Sequence, residues 1–209
     1  MEIGISNFTI VIITIAVIIV AVVLHELMHG LVAKYLGDDT AENEGRLTLN
    51  PIAHIDPIYT LALPVVLAVL GLPIFGAAKP VPVQGHKLKG QEFGMALVAI
   101  MGPLTNLALA FMGGLVLAVT QIDSNLWQAW WLYFVSINVG FFLFNMLPIP
   151  PLDGSRVLYA FAPEPLQKIM EQLENFGIFI VFGLVLLGVG SFIGGAYSAI
   201  VNFILGLSF

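Results

Sequence analysis

The chain has 209 residues, of which 59% are hydrophobic and only 10% charged, with a mean hydropathy of +0.99, whereas a soluble domain carries about 25% charged residues. It therefore reads as a polytopic membrane protein, long enough for one bundle of about five or six crossings at about 20 apolar residues each, with no separate soluble domain. The formal charge of -6 comes without any basic run suited to nucleic acid, and the absence of cysteine excludes disulfides and thiolate metal sites, so a metal would need nitrogen and oxygen ligands.

In chain order, the first apolar run, Phe8 to Leu24, is a span rather than a signal peptide: Glu2 stands where a basic region would be, and the run ends in HELMHG rather than a small-residue cleavage site. Spans are predicted at 8–36, 92–120, 129–147 and 176–207. The last is too long for one perpendicular helix at about 1.5 Å per residue. A break near Gly188 to Gly195 is expected, giving one span plus an interfacial piece or two short spans.

The polar stretch 37–57 contains Gly45, Pro51 and Pro57 as breakers, and RLTL reads as a short extended piece. Irregular backbone at membrane depth survives only when buried in protein or lining a wet cavity, so this stretch is expected to border a cleft. The run 58–76 is apolar but interrupted by Pro64, Gly71 and Pro73. Lys34, Arg46, Lys79, Lys87, Lys89, Arg156 and Lys168 all fall on one side if that run makes no net crossing, and the 121–128 loop has no basic residue. Because Lys and Arg collect in cytoplasmic loops, a re-entrant hairpin or two short half-spans is expected there, with the N-terminus outside.

His25, Glu26 and His29 form an H-E-x-x-H set. Four positions apart on a helix, the two imidazoles project from one face and suit a single Zn²⁺, with Glu26 placed beside the water that the ion activates. A charged residue deep in a span costs about 2.5–3.5 kcal/mol or more, which a metal site explains and mere helix packing does not.

A zinc hydrolase usually has a third protein ligand. His54, Asp56, His86 and Asp153 are candidates. Asp153 is preferred, because Pro148, Pro150 and Pro151 end the preceding helix and Gly154 allows a turn that aims the carboxylate back into the bundle. The alternative is an Asp capping a helix that begins near Ser155. HELMH and LDG share a side only after an even number of crossings, which again makes 58–76 re-entrant. Asn106 and Asn145 each read as an interhelical hydrogen-bonding residue or as a donor to an oxyanion, with Asn145 the better oxyanion candidate. Gly102 and Pro103 are expected to permit close helix contact, His54 and Asp56 to form a bonded loop pair, and His86 to be solvated.

HELMH, LNPIAHIDP, AKPVPV, GPLTN and NMLPIPPLDG, in that order over roughly residues 20 to 160, together resemble the site-2 protease family of intramembrane zinc metalloproteases, in its compact prokaryotic form without a PDZ or CBS domain. The resemblance implies one zinc per chain held by His25, His29 and Asp153, with Glu26 as the base, and cleavage of a substrate's transmembrane segment, often to release a regulatory protein. Ser155, where a second glycine is usual, and Tyr59, where glycine is expected, depart from the pattern without removing a ligand.

The expected fold is thus an all-α membrane protein, a polytopic transmembrane helix bundle with a re-entrant or hairpin element near 37–76. It forms a single domain over 1–209, with a catalytic core at about 8–160 and a C-terminal apolar segment at 176–209. Expected partners are a transmembrane protein substrate and the lipid bilayer, with a homo-oligomer allowed and nucleic acid not. The expected location is the cell membrane, multi-pass, with the active site nearer the cytoplasmic side. The rival functions are a metal-binding transporter, which would show paired broken-helix repeats, and a catalytically silent adaptor, which would lack the Glu or a ligand.

Overall fold

The computed structural model describes residues 6–72, 76–120 and 124–206; the expectations resting on Glu2, on Pro73, on positions 121–123 and on position 207 lie outside them. Among the described residues the chain is helical and contains no strand. Four helices are long and apolar enough to cross a membrane: α1 (Asn7–Tyr35), α4 (Glu92–Val119), α5 (Asn125–Asn145) and α9 (Val189–Gly206). Between α1 and α4 lie the single turn α2 (Thr40–Asn43) and the short helix α3 (Leu63–Val69), which continues a π-helical stretch at Pro57–Ala62. Between α5 and α9 lie α6 (Asp153–Tyr159), α7 (Glu164–Glu174) and α8 (Gly177–Leu186).

The start of α1 is capped by Ser6, whose hydroxyl accepts from Thr9 N. At about 1.5 Å per residue α1 is about 43 Å long, and its histidines come after about 27 Å, toward its C-terminal end. There Gly37, at φ 107°, adopts the left-handed conformation that lets its own N–H reach Lys34 O and Asp38 N–H reach Ala33 O, closing the helix.

The Pro57–Val69 helix has 13 residues, about 20 Å, too short to cross about 30 Å of hydrocarbon. The chain then returns to where that helix began: Ala77 N–H donates to Tyr59 O at 3.1 Å, the Thr60 hydroxyl donates to Ala77 O at 2.6 Å, and Lys79 N–H donates to His54 O at 2.9 Å. This is the hairpin that the side count requires. RLTL differs from expectation: residues 47–49 form bends, and the later segment 76–84 is irregular.

That irregular segment is held by side chains rather than by a sheet. Arg46, buried, donates to Lys79 O at 2.7 Å, and Asp38, fully buried, accepts from Gln84 N at 2.6 Å and from the Thr40 amide and hydroxyl. Burial by itself would raise the Asp38 carboxyl. The Thr40 hydroxyl, the Gln84 and Thr40 amides and the nearby Lys87 ammonium outweigh it and hold the group below its ordinary value of 3.8. A carboxyl lowered in the folded state contributes stability that is complete above the unfolded value and is lost as pH falls through the lower folded one. Asp38→Asn should therefore cost about 1–3 kcal/mol at neutral pH, the scale of hydrogen bonds to a charged group. The gap to wild type should shrink below about pH 4; thermal unfolding in detergent across pH measures this, and a gap constant with pH would contradict it.

Lys89 N–H donates to Leu36 O at 2.8 Å, which places the start of α4 beside the end of α1. α4 therefore runs back along α1, and α5 returns to deliver Asp153 to the same end. Among the described residues the core is three small clusters: Ile13, Val17, Leu109, Ala129 and Phe134 among α1, α4 and α5; Ala110, Val135, Val139 and Ile204 where α9 joins; and Ala33, Leu88 and Val98 near the C-terminal end of α1. The apolar C-terminal run breaks at Gly188 (φ 69°) into α8 and α9, and α7 meets α8 at 84°.

Candidate metal centre

His25 and His29 lie one turn apart on α1 and are both buried. The His29 Nδ1–H donates to Val98 O on α4 at 2.8 Å, and His25 Nδ1 lies 2.6 Å from Asn106 Oδ1, also on α4. Pinned in this way, both rings turn Nε2 inward. The two Nε2 atoms are 2.9 Å apart, and Asp153 Oδ2 stands 3.1 Å from His25 Nε2 and 3.5 Å from His29 Nε2.

Two glycines make this convergence possible. A Cβ at Gly102 would collide with the His29 ring and stand 2.8 Å from His25 Cε1, so α4 can lie over both imidazoles only with glycine there. A Cβ at Gly154 would strike Met146 O and stand 2.7 Å from Leu147 O, so the turn that carries Asp153 folds back tightly only with glycine. Asp153 opens α6, but its side chain makes no capping bond; the cap position is Leu152.

With both Nδ1 atoms donating, each imidazole in its neutral form would present a lone pair at Nε2, and these face a carboxylate oxygen that is buried with no hydrogen-bond donor from the rest of the chain. Three electron-pair donors pointing at one another suit a shared cation. The three ligand atoms all lie within 4.8 Å of one another, and the set of two imidazoles and one carboxylate is a zinc set that leaves a fourth position open. Glu26, half-buried beside them, accepts from Val81 N at 2.9 Å, so the irregular segment 76–84 fixes its carboxylate.

The other sequence-predicted residues sit elsewhere. His54 is buried and donates from Nε2 to Thr48 O at 3.0 Å, and Asp56 accepts from the amides of Ile58 and Tyr59, both at 2.8 Å. They are loop and cap residues, and the expected bond between them is replaced by these partners. His86 is exposed, as expected. Asn106 cannot serve an oxyanion: its two amide hydrogens go to Ala21 O (3.2 Å) and Asn138 Oδ1 (2.9 Å), and its oxygen faces His25. Asn145 donates one amide hydrogen to Phe141 O at 3.0 Å and keeps the other. The sequence reading missed Asn138, although a buried amide in an apolar span was the available signal, and it missed Val81, whose contribution is backbone and leaves no mark on residue type.

YwhC of Bacillus subtilis is 37% identical over 185 residues, covering 84% of this chain and 81% of that protein. Rip2 of Mycolicibacterium smegmatis is 31% identical over 78% of this chain and 62% of its own length, and a Methanocaldococcus jannaschii protein is 34% identical over 73% of each. All three carry the name Putative zinc metalloprotease. This chain belongs to their family, the compact site-2 protease type. No protein-family model and no solved structure gives a significant match. Membership agrees with the four apolar helices among the described residues and with a group that could hold a metal ion, drawn from α1 and from the turn after α5.

Proposed function

We propose that the chain is an intramembrane zinc metalloprotease that hydrolyses peptide bonds in the transmembrane segments of other membrane proteins. The observation that carries this reading is the convergence of His25, His29 and Asp153, with Glu26 beside them, inside a bundle of membrane-length helices. A zinc ion bound there would lower the pKa of water toward about 7 and polarise a peptide carbonyl.

Glu26 takes the proton from the attacking water and passes it to the departing amine, while the Val81 amide holds one carboxylate oxygen and leaves the other to exchange protons. Asn145 is the side chain we assign to the oxyanion, through its uncommitted amide hydrogen. Water reaches the centre from the end of the bundle where the polar loop 37–57 and the segment 76–84 lie. The seven basic residues belong to segments at that same end, as the Gln167–Glu92 and Arg156–Glu174 pairs tie α7 to the start of α4 and to α6. This supports a location in the cell membrane with the centre toward the cytoplasm.

A helical substrate shields its carbonyls within its own hydrogen bonds, so it must unwind locally before it is cut. Replacing Gly, Pro or Asn with Leu in a cleaved transmembrane peptide should slow cleavage, by a few-fold for one Gly or Asn (about 0.5–1 kcal/mol of added helix propensity) and by about 100-fold for a Pro (about 3 kcal/mol). The rates of the peptide pair, measured in detergent with and without chelator, test the reading. Equal rates would contradict the unwinding step, and chelator-insensitive cleavage would contradict the zinc.

A further inference from the structure

We propose that Asn138 is a positioning residue for the metal centre: it sets which way the Asn106 amide faces, and through Asn106 it holds His25 as the tautomer whose Nε2 is free for the ion. The inference rests on the zinc reading of the site and adds to it a residue on α5 that touches neither the ligands nor the water.

The direction of the chain of bonds follows from its two fixed ends. The oxygen and nitrogen of an amide side chain have nearly the same shape, so only their partners decide the orientation. Phe134 O and Ala21 O are backbone carbonyls and can only accept. Asn138, 2.9 Å from Phe134 O, must present its NH₂ there, which turns its own carbonyl oxygen toward Asn106. Asn106, facing that oxygen at 2.9 Å and Ala21 O at 3.2 Å, must present its NH₂ to both. Its carbonyl is then left for His25 Nδ1 at 2.6 Å, and the ring has to bring the N–H. Reversing Asn106 would set its carbonyl against two oxygens. Both asparagines are fully buried, so no water is at hand to repair a reversed amide.

Remove Asn138 and Ala21 O alone, at the longer distance, opposes the reversal of Asn106. A reversed Asn106 would offer an N–H to His25 Nδ1 and move the ring's proton to Nε2, the atom meant for the metal. Partners one step outside the ligands commonly carry about 10- to 100-fold in metal affinity.

The test is the zinc dissociation constant of the full-length protein in detergent, by competition with a chromophoric chelator, alongside the melting temperature of the metal-free form. Asn138→Leu should weaken zinc about tenfold. Asn138→Asp, which keeps an oxygen toward Asn106 and when neutral an O–H toward Phe134 O, should recover most of the affinity. Val135→Ala, one turn away and equally buried but without a polar bond, should lower the melting temperature and leave affinity unchanged. If Asn138→Leu does not fold, Asn138→Ser, too short to reach Asn106, carries the same expectation. Wild-type affinity in the Leu or Ser variant, or an equal loss in Val135→Ala, would overturn the role of Asn138 alone. A wild-type protein that binds no zinc would overturn the site reading and this inference with it.

Discussion

Glu26→Gln is expected to keep one zinc per chain and to lose cleavage by about 10²- to 10⁴-fold, the range that a positioned general base contributes. Gln has the shape of Glu and retains an oxygen that can accept from Val81 N, so the segment 76–84 stays in place. What it lacks is the capacity to take a proton from water and return it to the amine. Zinc content by elemental analysis and cleavage rate on the same preparation separate the two properties. Normal cleavage by this variant would remove Glu26 from the mechanism; loss of zinc with loss of cleavage would mean that the carboxylate is needed to build the site rather than to run it.

Gly102→Ala tests the geometry rather than the proton transfer, and its expected effect is nearly as large. The added methyl would occupy space held by the His29 ring and press on His25 Cε1 at 2.8 Å. Neither ring can swing aside without giving up its Nδ1 bond to Val98 O or Asn106. Overpacking of this kind costs about 1–3 kcal/mol in a rigid core, and here that cost falls on the ligands. Zinc affinity should drop by about 10- to 100-fold, with cleavage falling alongside it. Gly140→Ala on α5, where a Cβ meets nothing within 4 Å, is the matched control and should change neither. Wild-type zinc affinity in the Gly102→Ala variant would show that α4 can move off α1 freely.

Much of the fold and of the site is legible in the amino-acid sequence. The long apolar runs gave α1, α4 and α5, since in hydrocarbon a backbone must satisfy its own hydrogen bonds and the helix is the local way to do so. Charge and proline placement pointed to the hairpin at 58–76, now seen in the return of Ala77 to Tyr59. The spacing of His25 and His29 and the Pro-rich turn before Asp153 named the three residues that meet.

The remainder depends on which atom faces which, and residue types do not carry that information. Asn106 and Asn145 looked interchangeable as amides in apolar helices, with Asn145 favoured by its distance from Asp153 along the chain. The fold gives Asn106 to His25 and turns one hydrogen of Asn145 back to Phe141 O. Gly102 read as a helix-contact glycine, and the contact that it permits is with the two imidazoles of α1. Val81 acts through its backbone amide. RLTL had the composition of an extended piece, but residues 47–49 form bends, while 76–84 is held by Asp38 and Arg46 from outside.

The central claim is that a zinc held by His25, His29 and Asp153 cuts peptide bonds within a membrane-spanning segment. It is tested most directly by reconstituting the purified protein in liposomes with a transmembrane peptide, stripping the metal with a chelator, restoring it with zinc, and locating the cut by mass spectrometry. The account predicts no product after stripping, product again on adding zinc, and a cut inside the apolar segment. Product that persists without metal, or a cut confined to the peptide's soluble flanks, would contradict it.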